Sequence, residues 1–229
     1  MNFDINYVLM ILPALLISGY AQIKVSRTFN TYLKVKNLKG ITGAQSARSI
    51  LNSQGMTDVR VELVNGHLNN HYDPRGRVVR LSQEVFNGDS IVSIGVAAHE
   101  AVHGIQDGID YLPLKIRTKL VPFANISSTI SWIFFVIGLF FELGGMGGIF
   151  IKLGIILFSV GAFIQIITLP VELNASKRAM VFLNERGYLS SNEYYSIKKV
   201  LSAASFVYVA GALVGVFELA KTLISAKEE

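Results

Sequence analysis

Four stretches of this 229-residue chain carry no charged side chain for long enough to cross a lipid bilayer: residues 5–23, 121–141, 153–171 and 200–217. A hydrocarbon core about 30 Å thick takes roughly 20 helical residues, and each run comes close to that length. Only 16% of the residues are charged and 51% are hydrophobic. A soluble domain carries about a quarter charged residues, so four buried helices of a soluble bundle are a poor reading of these runs. Asp4 precedes the first run where a secretory signal has basic residues, and no small-x-small cleavage site follows. It reads as an uncleaved anchor, bent at Pro13. Glu142 and the turn-forming Gly144-Gly145-Met146-Gly147-Gly148 separate the second and third runs, which predicts a helical hairpin. The fourth run is rich in small residues (Ala203, Ala204, Ala210, Gly211, Gly215) that suit close helix packing.

The formal charge of +5 does not point to nucleic acid, because the basic residues flank apolar runs instead of forming a patch. Eighteen of the 21 Lys and Arg residues lie in 24–119 or 177–199, which a four-span threading puts on one side of the membrane. The positive-inside rule makes that side the cytoplasm and leaves both termini outside. The expected fold is therefore a mainly α integral membrane protein of the cell membrane, multi-pass, with about four transmembrane helices and a small cytoplasmic α+β catalytic region. Its expected parts are an anchor helix over 1–25, a cytoplasmic catalytic region over 26–120, a helix hairpin over 121–171, a cytoplasmic helix over 172–199, and a last span with tail over 200–229.

Within the first cytoplasmic segment, Thr42 is a candidate N-cap for a helix over 44–54. The alternating run 59–64 reads as a strand, as does 77–81 after the turn signal Asp73-Pro74-Arg75-Gly76, giving a sheet of two or three strands. The second of these is expected at a sheet edge, where it would hold an extended peptide. Ser82, Glu84 and Ser90 mark helix starts, and a helix over 91–106 carries the central motif.

With no cysteine in the chain, any transition metal must be held by imidazole and carboxylate, and only His67, His71, His99 and His103 supply imidazole. His99-Glu100-Ala101-Val102-His103 has the HExxH form. Residues four apart share one helix face, so both histidines can address one zinc ion. Glu100 lies about 100° round the helix, placed to act as general base on a water activated by the metal. The alternative is a plain helix with two satisfied histidines and an exposed Glu. Against it, the three polar residues sit among Ala97, Ala98, Ala101 and Val102, where polar groups need partners. A third ligand comes from His67, His71 or a carboxylate. Glu172 stands out among the carboxylates, because the third run delivers it to the same side as His99, and His₂Glu is a known catalytic zinc set. Pro170 is expected to break the helix or open a fresh first turn, with a helix over 172–186 holding Glu172. For the oxyanion of the tetrahedral intermediate, His71, Tyr72 and Arg178 are candidate donors. Equally, the His-Tyr-Asp-Pro stretch is read as a tight turn with Asp73 bonded to backbone, and His67 as a surface loop residue.

Four linked stretches resemble the YugP-type neutral zinc metallopeptidases of prokaryotic membranes. They are His71-Tyr72-Asp73-Pro74-Arg75, Val79-Arg80-Leu81-Ser82, Val96-Ala97-Ala98-His99-Glu100 continuing to His103, Ile105 and Gln106, and Leu169-Pro170-Val171-Glu172 continuing to Ala175, Ser176, Arg178 and Ala179. The resemblance covers nearly the whole chain. It implies a zinc-dependent membrane endopeptidase, acting on a peptide or protein substrate, with Glu172 as third zinc ligand. A weaker likeness to the CAAX prenyl protease and related membrane gluzincins differs at Ser176, where those proteins have Asp, and so leaves the support of the zinc-binding histidines open. A rival of another class is a non-catalytic zinc-binding scaffold or chaperone-like factor, but a structural site has no use for the base Glu100. A transporter or channel is disfavoured because the spans hold no charge at mid-depth.

Overall fold

The computed structural model describes residues 5–141 and 147–228. The elements are α1 (Ile5–Tyr32), α2 (Gly43–Ser53), β1 (Arg60–Val64), β2 (His71–Asp73), β3 (Val78–Ser82), α3 (Gln83–Phe86), α4 (Ile91–Gly108), α5 (Leu112–Phe141), α6 (Gly147–Glu185) and α7 (Ser191–Glu228). The chain is mostly helical, and its contacts divide it into two units. One comprises Met1–Gln22, Ile116–Leu169 and Val207–Glu229; the other comprises Ile23–Lys115 and Pro170–Phe206.

In the first unit the helices are apolar on the outside. Among the described residues, three helices are long and apolar enough to cross a membrane: Leu112–Gly138, Gly147–Glu185 and Ser191–Phe217. Phe123, Ile126, Trp132, Ile133 and Phe163 are each half or more exposed, as suits helices of membrane-spanning length and composition. Small residues let α5 and α6 meet closely. A Cβ on Gly154 would come within 2.9 Å of the Phe135 ring, and one on Gly138 within 2.6 Å of Ile151. The first apolar run is helical as the start of α1, but the side chains of residues 5–11 lie outside the described residues. So does the expected hairpin turn as far as Met146; α6 begins at Gly147.

The second unit is built around α4. Thr42 caps α2 as expected, accepting from the Gln45 backbone N–H while the Gln45 side chain accepts from the Thr42 N–H. The apolar face of α2 (Ala47, Ile50, Leu51) then packs into a core with Val59, Leu81, Ile94 and Ile105. Gly43 begins α2 because nothing larger fits: a Cβ there would lie 2.2 Å from the Val85 carbonyl oxygen. Ser90 caps α4 by accepting from the Ser93 N–H.

Two sequence expectations need correction. The strand expected at an edge, 77–81, is the middle one: sheet order is β1-β3-β2, with β1 parallel and β2 antiparallel to β3. Both sides of β3 are thus already paired, so it cannot add an extended peptide. Its pattern fits that place, since Val78, Val79, Leu81 and Ser82 are all buried, as in a strand covered on both faces. Second, Pro170 does not end a helix. It lies inside α6, which runs unbroken from Gly147 to Glu185. A proline removes one N–H from the ladder, and a 39-residue helix tolerates that single loss.

Candidate metal centre

Over residues 91–106, α4 is buried on every side except at Val96 and Glu100, which are half-buried. These two are four apart and so mark one narrow open face. His99 and His103, about 100° and 60° round the helix from Glu100, are buried at 9% and 4% exposure. Their rings meet edge to face with centroids 4.7 Å apart.

Glu172, from the part of α6 within this unit, reaches both rings. Its Oε2 lies 3.1 Å from His99 Nε2 and its Oε1 3.6 Å from His103 Nε2. One ligand atom from each residue lies within 4.8 Å of the other two, and all three residues are buried. Tetrahedral zinc, about 2.0–2.1 Å from each ligand, sets neighbouring donor atoms about 3.4 Å apart, close to both separations. The donor set fits too. A carboxylate 3% exposed needs positive charge beside it. The imidazoles provide that only when protonated, whereas a divalent cation provides it when they are neutral. His67 and His71 are not part of this group, the one metal-competent cluster among the described residues.

The far nitrogens of both rings are also engaged. His103 Nδ1 donates to Gln106 Oε1 at 2.9 Å. That amide cannot turn over without loss, because its Nε2 donates to the Val171 carbonyl at 3.2 Å and to Asn174 Oδ1 at 3.0 Å. His99 Nδ1 meets Ser176 Oγ at 3.2 Å, and Ser176 in turn meets Ser205 Oγ at 3.3 Å. With Nδ1 protonated on each ring, the Nε2 lone pairs face Glu172. Sequence reasoning missed Gln106 as a participant. The available signal was its place three residues after His103 on a buried apolar helix, where a carboxamide must find partners.

The remaining candidates are placed as follows. His71 is half-buried on the edge strand β2, in register with Arg80. Tyr72 donates its hydroxyl proton to Asp107 Oδ2 at 2.8 Å, and its ring packs beside Gly104 of α4. Burial, and then that bond to a carboxylate, raise its pKa well above the usual phenol range. Arg178 lies with its guanidinium 6.0 Å from the Phe182 ring centre. Asp73 accepts from the Arg75 and Gly76 N–H groups, as the turn reading expects, and from Arg80 Nη1 at 2.7 Å. That guanidinium holds the Asp73 carboxyl below the usual carboxylate range. His67 is exposed and paired with Glu84 at 2.7 Å.

Comparison with known proteins places the chain in a family. A family model described as "Putative neutral zinc metallopeptidase" matches residues 7–227. The chain is 46% identical over 213 residues to "Putative membrane protease YugP" of Bacillus subtilis (strain 168), covering 93% of each chain. No solved structure matches.

Proposed function

The chain belongs to the family described as "putative neutral zinc metallopeptidase", and on that premise we propose that it is a membrane zinc endopeptidase with its catalytic site on the cytoplasmic side. His99, His103 and Glu172 hold the ion. Zinc bound there supplies Lewis acidity, polarising the scissile carbonyl and acidifying water at the open side of the site. Glu100 takes the proton of the attacking water on its carboxylate and passes it to the leaving amine. Gln106 and Ser176 keep the two imidazoles in the tautomer that presents Nε2. His71 and Arg178 remain the candidate donors to the oxyanion. Tyr72, its proton committed to Asp107, instead fixes β2 against α4.

The observation that carries this reading is the division of labour on α4: two buried imidazoles facing a buried carboxylate, with Glu100 the only polar residue of the motif on the open face. Protein purified in detergent should contain about one zinc per chain. Stripping the metal with 1,10-phenanthroline should stop cleavage of an unfolded protein substrate, and added zinc should restore it. Cleavage indifferent to the chelator would overturn the proposal. Bound zinc with no hydrolysis of any substrate would favour the scaffold reading instead.

The four-span threading is tested separately. Reporter fusions near Lys36 and Arg186 should both register in the cytoplasm, and one at Gly147 on the opposite side. Opposite results for Lys36 and Arg186 would break the threading that brings α4 and Glu172 to one face.

A further inference from the structure

We propose that a basic pocket between α1 and α7 binds the phosphate headgroup of an anionic membrane lipid. The pocket lies within the unit that carries the metal centre and is an open one of about 440 Å³. Lys24 and Thr28 line it from α1, and Tyr195, Lys198, Lys199 and Ser202 from α7. With Tyr32 of α1, three lysines and four hydroxyl-bearing residues thus line one space, and no acidic side chain lines it among the described residues. Nor does any ion pair among the described residues include these lysines. Three like charges gathered without a carboxylate repel one another, and an anion relieves that repulsion. A phosphodiester also accepts hydrogen bonds from hydroxyls, which Tyr32, Tyr195 and Ser202 supply, while the Thr28 hydroxyl donates to the Lys24 carbonyl at 2.7 Å.

Position selects a lipid over a soluble anion. Lys24 follows the last residue of the first apolar run, and Lys198 and Lys199 immediately precede the fourth. In the four-span threading these are headgroup-depth positions, and a basic pocket between membrane helices at that level suits an anionic headgroup. The Lys24 ammonium sits 4.3 Å from the centre of the Phe206 ring, a cation–π contact that holds one of these charges over an aromatic face. Tyr195, 65% exposed, belongs to the residue type enriched at the membrane–water boundary. The inference rests on the membrane threading and is independent of the peptidase reading, because its test measures lipid binding and not cleavage.

The test uses the full chain in nanodiscs of phosphatidylcholine with increasing phosphatidylglycerol, scoring bound lipid by native mass spectrometry. At about 1 kcal/mol per basic residue, each lysine is worth about fivefold in affinity. The variant Lys24→Gln/Lys198→Gln/Lys199→Gln should therefore bind phosphatidylglycerol about a hundredfold more weakly. Lys34→Gln/Lys39→Gln/Lys119→Gln, which removes the same charge elsewhere, should stay within a few fold of the parent. Ser202→Trp, which fills the pocket and leaves its charges, should also lose the lipid, and it covers the case in which the triple variant does not fold. Equal losses in the two triple variants would reduce the effect to general surface charge and overturn the site. Unchanged binding in Ser202→Trp would overturn it as well. Displacement of the lipid by millimolar inorganic phosphate would overturn the choice of a lipid ligand.

Discussion

Glu172→Ala should strip the protein of zinc nearly as completely as His103→Ala, although 69 residues separate Glu172 from His103 in the chain. Apparent binding energies of about 10–16 kcal/mol for structural zinc, shared among four ligands, put one ligand at about 3 kcal/mol. Losing one of three protein ligands should then cost about a hundredfold or more in affinity. Among the described residues no other metal-competent group includes these histidines, and the Glu172 carboxylate is 3.1 Å and 3.6 Å from the two Nε2 atoms it joins. Glu185→Ala removes the same charge from an exposed position at the end of the same helix and should change nothing. Because alanine leaves a cavity, Glu172→Gln provides a variant of preserved shape, and it should also bind zinc more weakly. Metal content and a competitive chelator titration read these variants and His71→Ala. Normal zinc binding in Glu172→Ala combined with its loss in His71→Ala would make His71 the third ligand.

The parts of this molecule legible in its sequence are those set by local chemistry. Uncharged runs announce membrane helices because a charge within the bilayer is expensive, and three of the four runs fall in helices long and apolar enough to cross. Thr42 and Ser90 announce helix starts because their hydroxyls satisfy N–H groups that the helix itself leaves open. Sheet order was not legible. Apolar content places 77–81 in a strand, but which strands flank it depends on pairings that no local period encodes. The burial of Val78, Val79, Leu81 and Ser82 marks a central strand, but that burial belongs to the fold and is not written in a run that carries Arg77 and Arg80. The Pro170 expectation treated a local penalty as decisive, whereas the continuous α6 shows tertiary context overriding it.

The metal centre divides along the same line. His99 and His103 are visible because the helix repeat brings them together. Glu172 becomes a candidate only on the expected threading, in which the second and third runs form a hairpin. Ser176 against His99, and Val171 and Asn174 against Gln106, are contacts over 65 to 77 residues, beyond any spacing argument. Tyr72 shows the converse difficulty. A Tyr beside the metal-binding motif in chemical type is an attractive oxyanion donor, yet its proton is taken by Asp107, a residue that nothing in the sequence pairs with it.

Glu100→Gln should leave zinc in place and remove proteolysis. The amide matches the carboxylate in size and occupies a half-buried position on the open face of α4, so neither packing nor a buried charge is disturbed. His99, His103 and Glu172 keep their contacts, and zinc content should equal that of the parent. An amide nitrogen or oxygen cannot accept the proton of the attacking water at neutral pH, nor return one to the leaving amine. General acid–base catalysis by one side chain is worth about 10²–10⁴-fold, and here the same group serves both transfers, so kcat should fall by about a thousandfold or more. KM should change little, because no substrate contact in the ground state is assigned to Glu100. Glu100→Asp, which keeps the base but shortens its reach, should retain a measurable fraction of the activity. Parental turnover in Glu100→Gln would take Glu100 out of the mechanism. Loss of zinc from that variant would instead mean that Glu100 helps to hold the ion, and that the division of roles along α4 is wrong.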